Sequence, residues 1–267
     1  MPQSEESQRA AAFFDLDKTL MAGSSGMQFA RIGAKQGIVG KRQLAGWGFE
    51  HLRYRLRGTT DERTAEVLKV ARELICGMPE RTIDRMGPEV MAAILPRVFP
   101  QMLAEVYSHQ DAGRPTFIVS AAGNGVVEQL SHVLGMDGGI GTRYEVDGEG
   151  NFTGRLDGPF VYGEGKVTAM EEFADRHGIE LAESYAYSDS ISDLPMLRAV
   201  GNPVAVNPDP PLAAIAREEG WQTLRFERLG RRLVALAVTL LATVAGFGAS
   251  RVAARRRVPP PRRLRPR

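Results

Sequence analysis

Two aspartates separated by one residue, Asp15 and Asp17, directly follow a short apolar run at 11–14. Two carboxylates this close repel each other unless a cation neutralises them or one of them holds a proton. Magnesium prefers a few carboxylate oxygens together with water and substrate phosphate, and a carboxylate can also act as a nucleophile that forms an acyl phosphate. Taken alone, this pair fits a metal or nucleophile site no better than it fits a helix cap or a turn.

A second acidic pair, Asp189 and Asp193, lies at a predicted strand-to-helix junction. Asp189 at the strand tip could contact a metal, and Asp193 in the first helical turn could hold the metal's water shell or orient Lys166. For this pair alone, the simpler interpretation is an N-cap at Asp189 and a favourable helix dipole at Asp193.

Ser120 and Lys166 are the candidate phosphate ligands. Ser120 ends an apolar strand, and the small residues after it, beginning with Ala121, offer backbone N–H groups near a helix start, which is a ready anion site. Lys166 follows Gly163 and Gly165, which allow a phosphate to approach closely. A serine turn and an exposed lysine are the alternatives when each is taken alone.

The elements that must position these residues alternate between strands and helices. Strands are predicted at 11–14, 116–119, 184–188 and 203–206, helices at 99–110, 126–134 and 167–177, and a β-hairpin at 142–146 and 152–156. Residues 27–95 are predicted to be mostly helical. This alternation is typical of an α/β fold with a mostly parallel sheet. Ligands bind beyond the carboxyl ends of such strands, so we expect the candidate residues to converge there and to perform phosphoryl transfer.

Four segments resemble the motifs of the haloacid dehalogenase (HAD) superfamily, specifically subfamily IB, its phosphoserine-phosphatase-like branch. They are DLDKTL at 15–20, FIVSA at 117–121, GEGK at 163–166 and YSDSISD at 187–193. The resemblance implies a Rossmann-like core with an inserted α-helical cap of the C1 type. It also implies a phosphatase that acts on a phosphomonoester.

The resemblance further implies a role for each matched residue. Asp15 would attack the phosphorus, and Asp17 would act as general acid and then general base. Mg²⁺ would contact Asp15, Asp17 through its backbone carbonyl, and Asp189, while Asp193 would support the metal shell. The implied phosphate-binding residues are Thr19, which also braces the loop, Ser120, Ala121 and Lys166.

The sequence departs from phosphoserine phosphatases at several motif positions. Ser188, Ser190 and Ser192 stand where those enzymes usually have Gly-Asp-Gly and an Asn, and the acid that grips the serine amine is not evident in MAGSSGMQF. These departures leave open whether L-phosphoserine is a substrate. The expected substrate is a small phosphometabolite or, given the C-terminal segment described next, a lipid phosphate.

The predicted domains are a discontinuous catalytic core at 1–22 and 97–228, a helical cap at 23–96, an apolar helix at 229–250 and an Arg-rich disordered tail at 251–267. The net charge is +2, although eight arginines in the tail leave residues 1–250 at −6. The apolar helix is a candidate membrane segment, and residues 231–267 are expected to meet an anionic membrane surface. No specific nucleic acid is expected as a partner.

The first residues are polar and include two acids, unlike a secretory signal, so we expect a cytoplasmic catalytic domain. Cys76 is predicted to be a small buried hydrophobe. Two other functions remain open beside the phosphomonoesterase. One is a phosphotransferase with the same intermediate, and the other is a membrane-tethered binding or scaffold module.

Overall fold

A six-stranded parallel sheet forms the centre of the computed structural model, which describes residues 10–38, 40, 68–69 and 72–226. Its strands are β1 (Ala12–Asp15), β2 (Thr116–Gly123), β3 (Gly138–Thr142), β6 (Tyr185–Ser188), β7 (Asn202–Val206) and β8 (Gln222–Leu224). A separate antiparallel hairpin consists of β4 (Tyr144–Val146) and β5 (Phe152–Leu156). The order in the sheet is β3-β2-β1-β6-β7-β8. The predicted α/β fold with a mostly parallel sheet is confirmed.

Helices connect these strands. They are α1 (Ser25–Lys35), α2 (Glu80–Ile94), α3 (Pro100–Asp111), α4 (Asn124–Val133), α5 (Glu164–His177), α6 (Leu194–Arg198) and α7 (Pro210–Glu218). Proline lies in the first turn of α3, α6 and α7, where its missing N–H costs nothing. The α5 helix ends at Gly178, whose left-handed conformation favours glycine.

The central strand β1 is buried along its whole length, as its apolar run predicts. Phe13 stacks on Phe117 with ring centroids 5.7 Å apart, and Phe14 stacks on Tyr187 at 4.4 Å. Successive side chains of a strand point to opposite faces, so these two phenylalanines anchor both faces of the sheet. This burial fixes where β1 ends, and therefore where Asp15 lies.

Helical structure is confirmed in the described parts of the predicted cap. The α1 and α2 helices pack against each other, and residues 68–69 and 72–75 are helical too. The cap limits of 23 and 96 stay a prediction. Arg53, Arg55 and Arg57, interpreted as a solvated face or as contacts for an anionic substrate, lie outside the described residues.

The β4–β5 hairpin is attached by backbone hydrogen bonds to the segment that directly precedes α2. Gly77 N–H donates to the Phe152 carbonyl at 2.8 Å, and Phe152 N–H donates to the Met78 carbonyl at 2.9 Å. Cys76 lies in this region at the surface, and its thiol donates to the Thr153 carbonyl at 3.5 Å. The prediction that Cys76 is buried is therefore wrong, because its segment lies at the surface against the half-buried hairpin.

The sequence interpretation missed β3, α7 and β8, and it placed Thr142 in the hairpin instead of at the end of β3. Three glycines in the five residues of β3 conceal the strand, since glycine is depleted in strands. Here glycine allows α4 to pack closely, because a Cβ on Gly139 would lie 2.6 Å from Val127 Cγ1. The other predicted element ends differ from the structure by a few residues at most.

The chain divides into a unit that ends at Leu224 and a second unit that begins at Arg225, close to the predicted core limit of 228. Within the described ranges, no helix is long and apolar enough to cross a membrane. The predicted apolar helix at 229–250 and the tail at 251–267 lie outside those ranges.

A buried histidine on α3 predicts how stability depends on pH. Arg114 Nε donates to His109 Nδ1 at 2.8 Å, so the ring proton of neutral His109 lies on Nε2. Nε2 lies 2.7 Å from the Tyr187 hydroxyl, which in turn donates to Glu105 at 3.3 Å. The Tyr185 ring packs against His109 in an edge-to-face arrangement. Burial, reinforced by the charge of Arg114, lowers the pKa of His109 to about 4.

Because unfolded His109 binds its proton at a higher pH than the folded ring does, the unfolding free energy should fall as pH decreases from about 6.5 towards 4. Urea titrations should show that the unfolding free energy falls less between pH 7 and pH 5 for His109→Gln than for the wild type. An equal loss in both proteins would contradict this assignment.

Candidate active site

The carboxyl ends of β1, β2 and β6 bring three of the predicted site residues to one edge of the sheet. Asp15, the last residue of β1, is aligned with Val119 of β2, so Ser120 comes one step later. Asp189 directly follows β6, the neighbour of β1 on its other side. The expected convergence is confirmed, and its cause is the register of three adjacent parallel strands.

Lys166 lies at the centre of this edge. Its Nζ is 2.5 Å from Asp15 Oδ1 and 2.7 Å from Asp193 Oδ2. Asp193 also accepts a hydrogen bond of 2.7 Å from the Ser188 hydroxyl. The exposed fraction is 2% for Lys166, 7% for Asp15 and 3% for Asp193, so this ion-pair cluster is shielded from solvent. Lys166 is therefore not the exposed surface lysine of the alternative interpretation.

The cluster carries more negative than positive charge. Buried Asp15, Asp189 and Asp193 face one buried cation, Lys166. Burial raises the pKa of Asp15 to about 8 despite the opposing charge of Lys166, and burial raises the pKa of Asp189 to about 6. Burial would lower the pKa of Lys166, but the charges of Asp15 and Asp193 raise it. Excess buried negative charge favours a bound cation.

Magnesium fits this donor set. Asp15 and Asp189 supply hard carboxylate oxygens at adjacent strand ends, and magnesium usually keeps water and substrate oxygens as its other ligands. No three His, Cys, Asp or Glu side chains of residues 10–38, 40, 68–69 and 72–226 converge as a ready set of ligands. A site with two carboxylates, a backbone carbonyl and water does not require a third such side chain.

Asp17 lies apart from the buried cluster and contacts the cap. Its Oδ1 accepts a hydrogen bond of 2.8 Å from the Ser25 backbone N–H, in the first turn of α1. Four N–H groups at a helix start have no partner within the helix, and a carboxylate satisfies one of them favourably. Asp17 is half-buried, so unlike buried Asp15 it remains partly accessible to solvent.

Three residues proposed for the phosphate site differ in their surroundings. Ser120 is buried, and its hydroxyl accepts from Ala122 N–H at 3.2 Å. Ala121 is half-buried, and its carbonyl accepts from the Thr142 hydroxyl at 3.0 Å. Thr19 is fully buried, and its hydroxyl has no partner in the described part of the chain. The phosphate-binding roles of these residues stay predictions.

Residues 12–198 match the family model of the haloacid dehalogenase-like hydrolases. The chain belongs to this family. The match includes all four motif segments, and the predicted phosphoserine-phosphatase-like resemblance is confirmed by the relatives of the chain.

A phosphoserine phosphatase of Mycobacterium tuberculosis is 34% identical over 253 residues, which cover 93% of this chain and 81% of that protein. A histidinol-phosphatase of Neisseria meningitidis is 32% identical over 220 residues, 81% of this chain and 98% of that protein. The solved structure of a protein of unknown function from Bordetella pertussis is 30% identical, with a TM-score of 0.70, and covers 81% of this chain and 98% of its own. This haloacid dehalogenase-like protein is thus an enzyme, a phosphatase of the family.

Two residues at this site, Lys18 and Asp209, are not predicted as site residues from the sequence. Lys18 has its Nζ 3.6 Å from Asp189 Oδ2. Asp209 caps α7 by accepting from Leu212 N–H at 2.9 Å, and its backbone N–H donates to the Asp189 carbonyl at 2.8 Å. The sequence Asp-Pro-Pro is a recognisable helix start, but the link between this cap and Asp189 depends on the fold.

Gly165 allows α5 to begin at the site, and its substitution should unfold that junction. A Cβ on Gly165 would lie 1.9 Å from the Phe160 carbonyl oxygen, a backbone atom that cannot move alone. We expect Gly165→Ala to lower the unfolding free energy by at least about 2 kcal/mol in urea titrations. Gly125 in α4 has nothing within 4 Å of its Cβ position, so Gly125→Ala is the matched control and should be neutral or stabilising. Equal stability of the two variants would contradict the steric argument.

Proposed function

We propose that this phosphatase hydrolyses small phosphomonoesters in the presence of Mg²⁺, through a phosphoaspartate formed on Asp15. The observation that carries the proposal is the position of the two motif aspartates. Asp15 lies in the buried cluster beside Lys166, whereas Asp17 lies outside the cluster on the cap side. This difference in surroundings supports covalent chemistry at Asp15 and proton transfer by Asp17.

In the first step, the Asp15 carboxylate attacks the phosphorus of the ester. A bond forms between Asp15 and phosphorus, and the bond between phosphorus and the ester oxygen breaks. Asp17 gives its proton to that oxygen, and the alcohol leaves. Lys166, which lies 2.5 Å from the nucleophilic carboxylate, would hold a phosphoryl oxygen together with the Ser120 hydroxyl and the Ala121 N–H.

In the second step, Asp17 is a carboxylate and takes a proton from a water molecule. The water oxygen attacks the phosphorus, the bond to Asp15 breaks, and inorganic phosphate leaves. The partial exposure of Asp17 to solvent suits it for both proton transfers, while the Ser25 N–H fixes one of its oxygens. Asp193 positions Lys166 through its contact of 2.7 Å.

Magnesium would be held by Asp15, the backbone carbonyl of Asp17 and Asp189. When bound, the metal supplies positive charge that offsets the charge of the transferring phosphoryl group. The excess of buried carboxylates over lysine at this edge supports this assignment.

The substrate class is tested by phosphate release from L-phosphoserine, histidinol phosphate, p-nitrophenyl phosphate and a phosphorylated lipid, each with Mg²⁺ or with EDTA. The relatives named for phosphoserine and for histidinol phosphate are similarly distant, which supports a small phosphomonoester without selecting one. We expect release that requires Mg²⁺ from at least one of the small substrates. Release that persists in EDTA, or from the lipid alone, would contradict the proposal.

A further inference from the structure

Lys18 has a backbone conformation that lysine rarely adopts. Its φ is +62°, and Asn207 is the only other described non-glycine residue with a positive φ. In this left-handed region the Cβ of an ordinary side chain costs about 1 kcal/mol, whereas glycine is unstrained. Hydrogen bonds around the loop, such as Leu20 N–H to the Asp15 carbonyl at 3.2 Å, impose the conformation. The backbone alone therefore gives no reason for a lysine here.

The side chain of Lys18 reaches from the surface to a buried carboxylate. Its Nζ lies 3.6 Å from Asp189 Oδ2, and the side chains are 47% and 10% exposed. Strain retained at a residue beside a reactive loop points to a role for that residue. In this case the strained backbone directs a cation towards the carboxylate that the proposed function assigns to magnesium.

Two cations would then share one carboxylate. The Lys18 ammonium already offsets part of the negative charge of Asp189. The electrostatic attraction between Asp189 and a divalent ion is therefore weaker than it would be for an unpaired carboxylate. The ion also meets the repulsion of a positive charge a few ångströms away, which solvent screens only in part because Asp189 is buried while Lys18 is half-exposed.

We infer that Lys18 is a positioning residue that acts through Asp189 and holds the affinity of the site for Mg²⁺ below what the buried carboxylates alone would give. The inference rests on the proposed function, because it assigns Asp189 to the metal. Lys18 thereby sets the magnesium concentration at which the enzyme becomes active.

The test is calorimetric titration of the full-length protein with MgCl₂ in the absence of substrate. Lys18→Gln removes the charge and keeps the strained backbone, Lys18→Gly removes both, and Lys18→Arg keeps both. Lys35→Gln is the matched control, because Lys35 pairs with Glu89 at the same 3.6 Å but lies on the cap helix α1.

We expect Lys18→Gln and Lys18→Gly to bind Mg²⁺ about three- to ten-fold more tightly than the wild type, since a half-exposed charge is partly screened. Lys18→Arg and Lys35→Gln should bind as the wild type does. The magnesium concentration for half-maximal activity should fall by the same factor in the first two variants. Thermal unfolding should show Lys18→Gly to be more stable than Lys18→Gln, which separates the charge effect from backbone strain.

Unchanged or weaker Mg²⁺ binding in Lys18→Gln would overturn the inference. Tighter binding in Lys18→Gly alone would also overturn it, because the cause would then be the backbone. A wild-type protein that binds no Mg²⁺ would instead refute the metal assignment of the proposed function, and the inference would fail with it. The two failures are therefore distinguishable by the wild-type titration.

Discussion

Asp15→Asn should reduce kcat by at least about a thousand-fold, because an amide of the same shape cannot form the phosphoaspartate. The same substitution removes one negative charge from a cluster in which three buried carboxylates face one buried lysine. We therefore expect the unfolding free energy to stay the same or to rise. Loss of activity in a protein of unchanged stability would separate the chemistry of Asp15 from its part in the fold.

The measurement is the initial rate of phosphate release at saturating Mg²⁺, together with urea unfolding of the same samples. Asp175→Asn is the matched control, because Asp175 is an exposed aspartate on α5, and this variant should have wild-type activity. Substantial turnover by Asp15→Asn would exclude Asp15 as the nucleophile.

Lys166→Met should have the largest effect on stability. The substitution leaves Asp15 and Asp193 buried without the cation that lies 2.5 and 2.7 Å from them. Removing one partner of a buried ion pair typically costs about 3–5 kcal/mol, because the remaining charge is uncompensated. Urea unfolding in EDTA should show a loss of this size, and phosphate release should fall with it.

A double variant separates the charge effect from the loss of packing. In Lys166→Met/Asp193→Asn, one of the two uncompensated carboxylates is removed, and the amide oxygen can still accept the hydrogen bond from Ser188. We expect the double variant to recover at least about 1 kcal/mol relative to Lys166→Met, as contacting residues couple by such amounts. If the stability loss of the double variant equalled the sum of the losses in Lys166→Met and Asp193→Asn, the two side chains would not act as an ion pair.

Most of the site could be predicted because its residues follow short apolar strands. The apolar run at 11–14 predicts that β1 is buried. Because the strands of the sheet are parallel, their carboxyl ends lie at the same edge. This argument locates Asp15, Ser120 and Asp189, whereas the glycines at 163 and 165 single out Lys166. A contact between Lys166 and Asp193 is one of the two roles that the sequence predicts for Asp193, and the two side chains lie 2.7 Å apart.

Other features depend on contacts that no local pattern shows. The strand β3 is not recognisable from its sequence because it is rich in glycine, which is there to let α4 pack closely. Cys76 has an apolar neighbour in Ile75, yet its own side chain is exposed along the hairpin. Lys18 looks like an ordinary surface lysine until its backbone angle and its distance to Asp189 are known.

The central claim is the phosphoaspartate on Asp15, and trapping this intermediate tests it most directly. Asp17→Asn should slow the release of phosphate from the intermediate, because no carboxylate is then available to activate water. Brief reaction of this variant with a reactive phosphomonoester and Mg²⁺, followed by acid quenching and peptide mass spectrometry, should show one added phosphoryl group on the peptide that contains Asp15. A phosphoryl group on another residue, or turnover by Asp15→Asn without any modified peptide, would contradict the account.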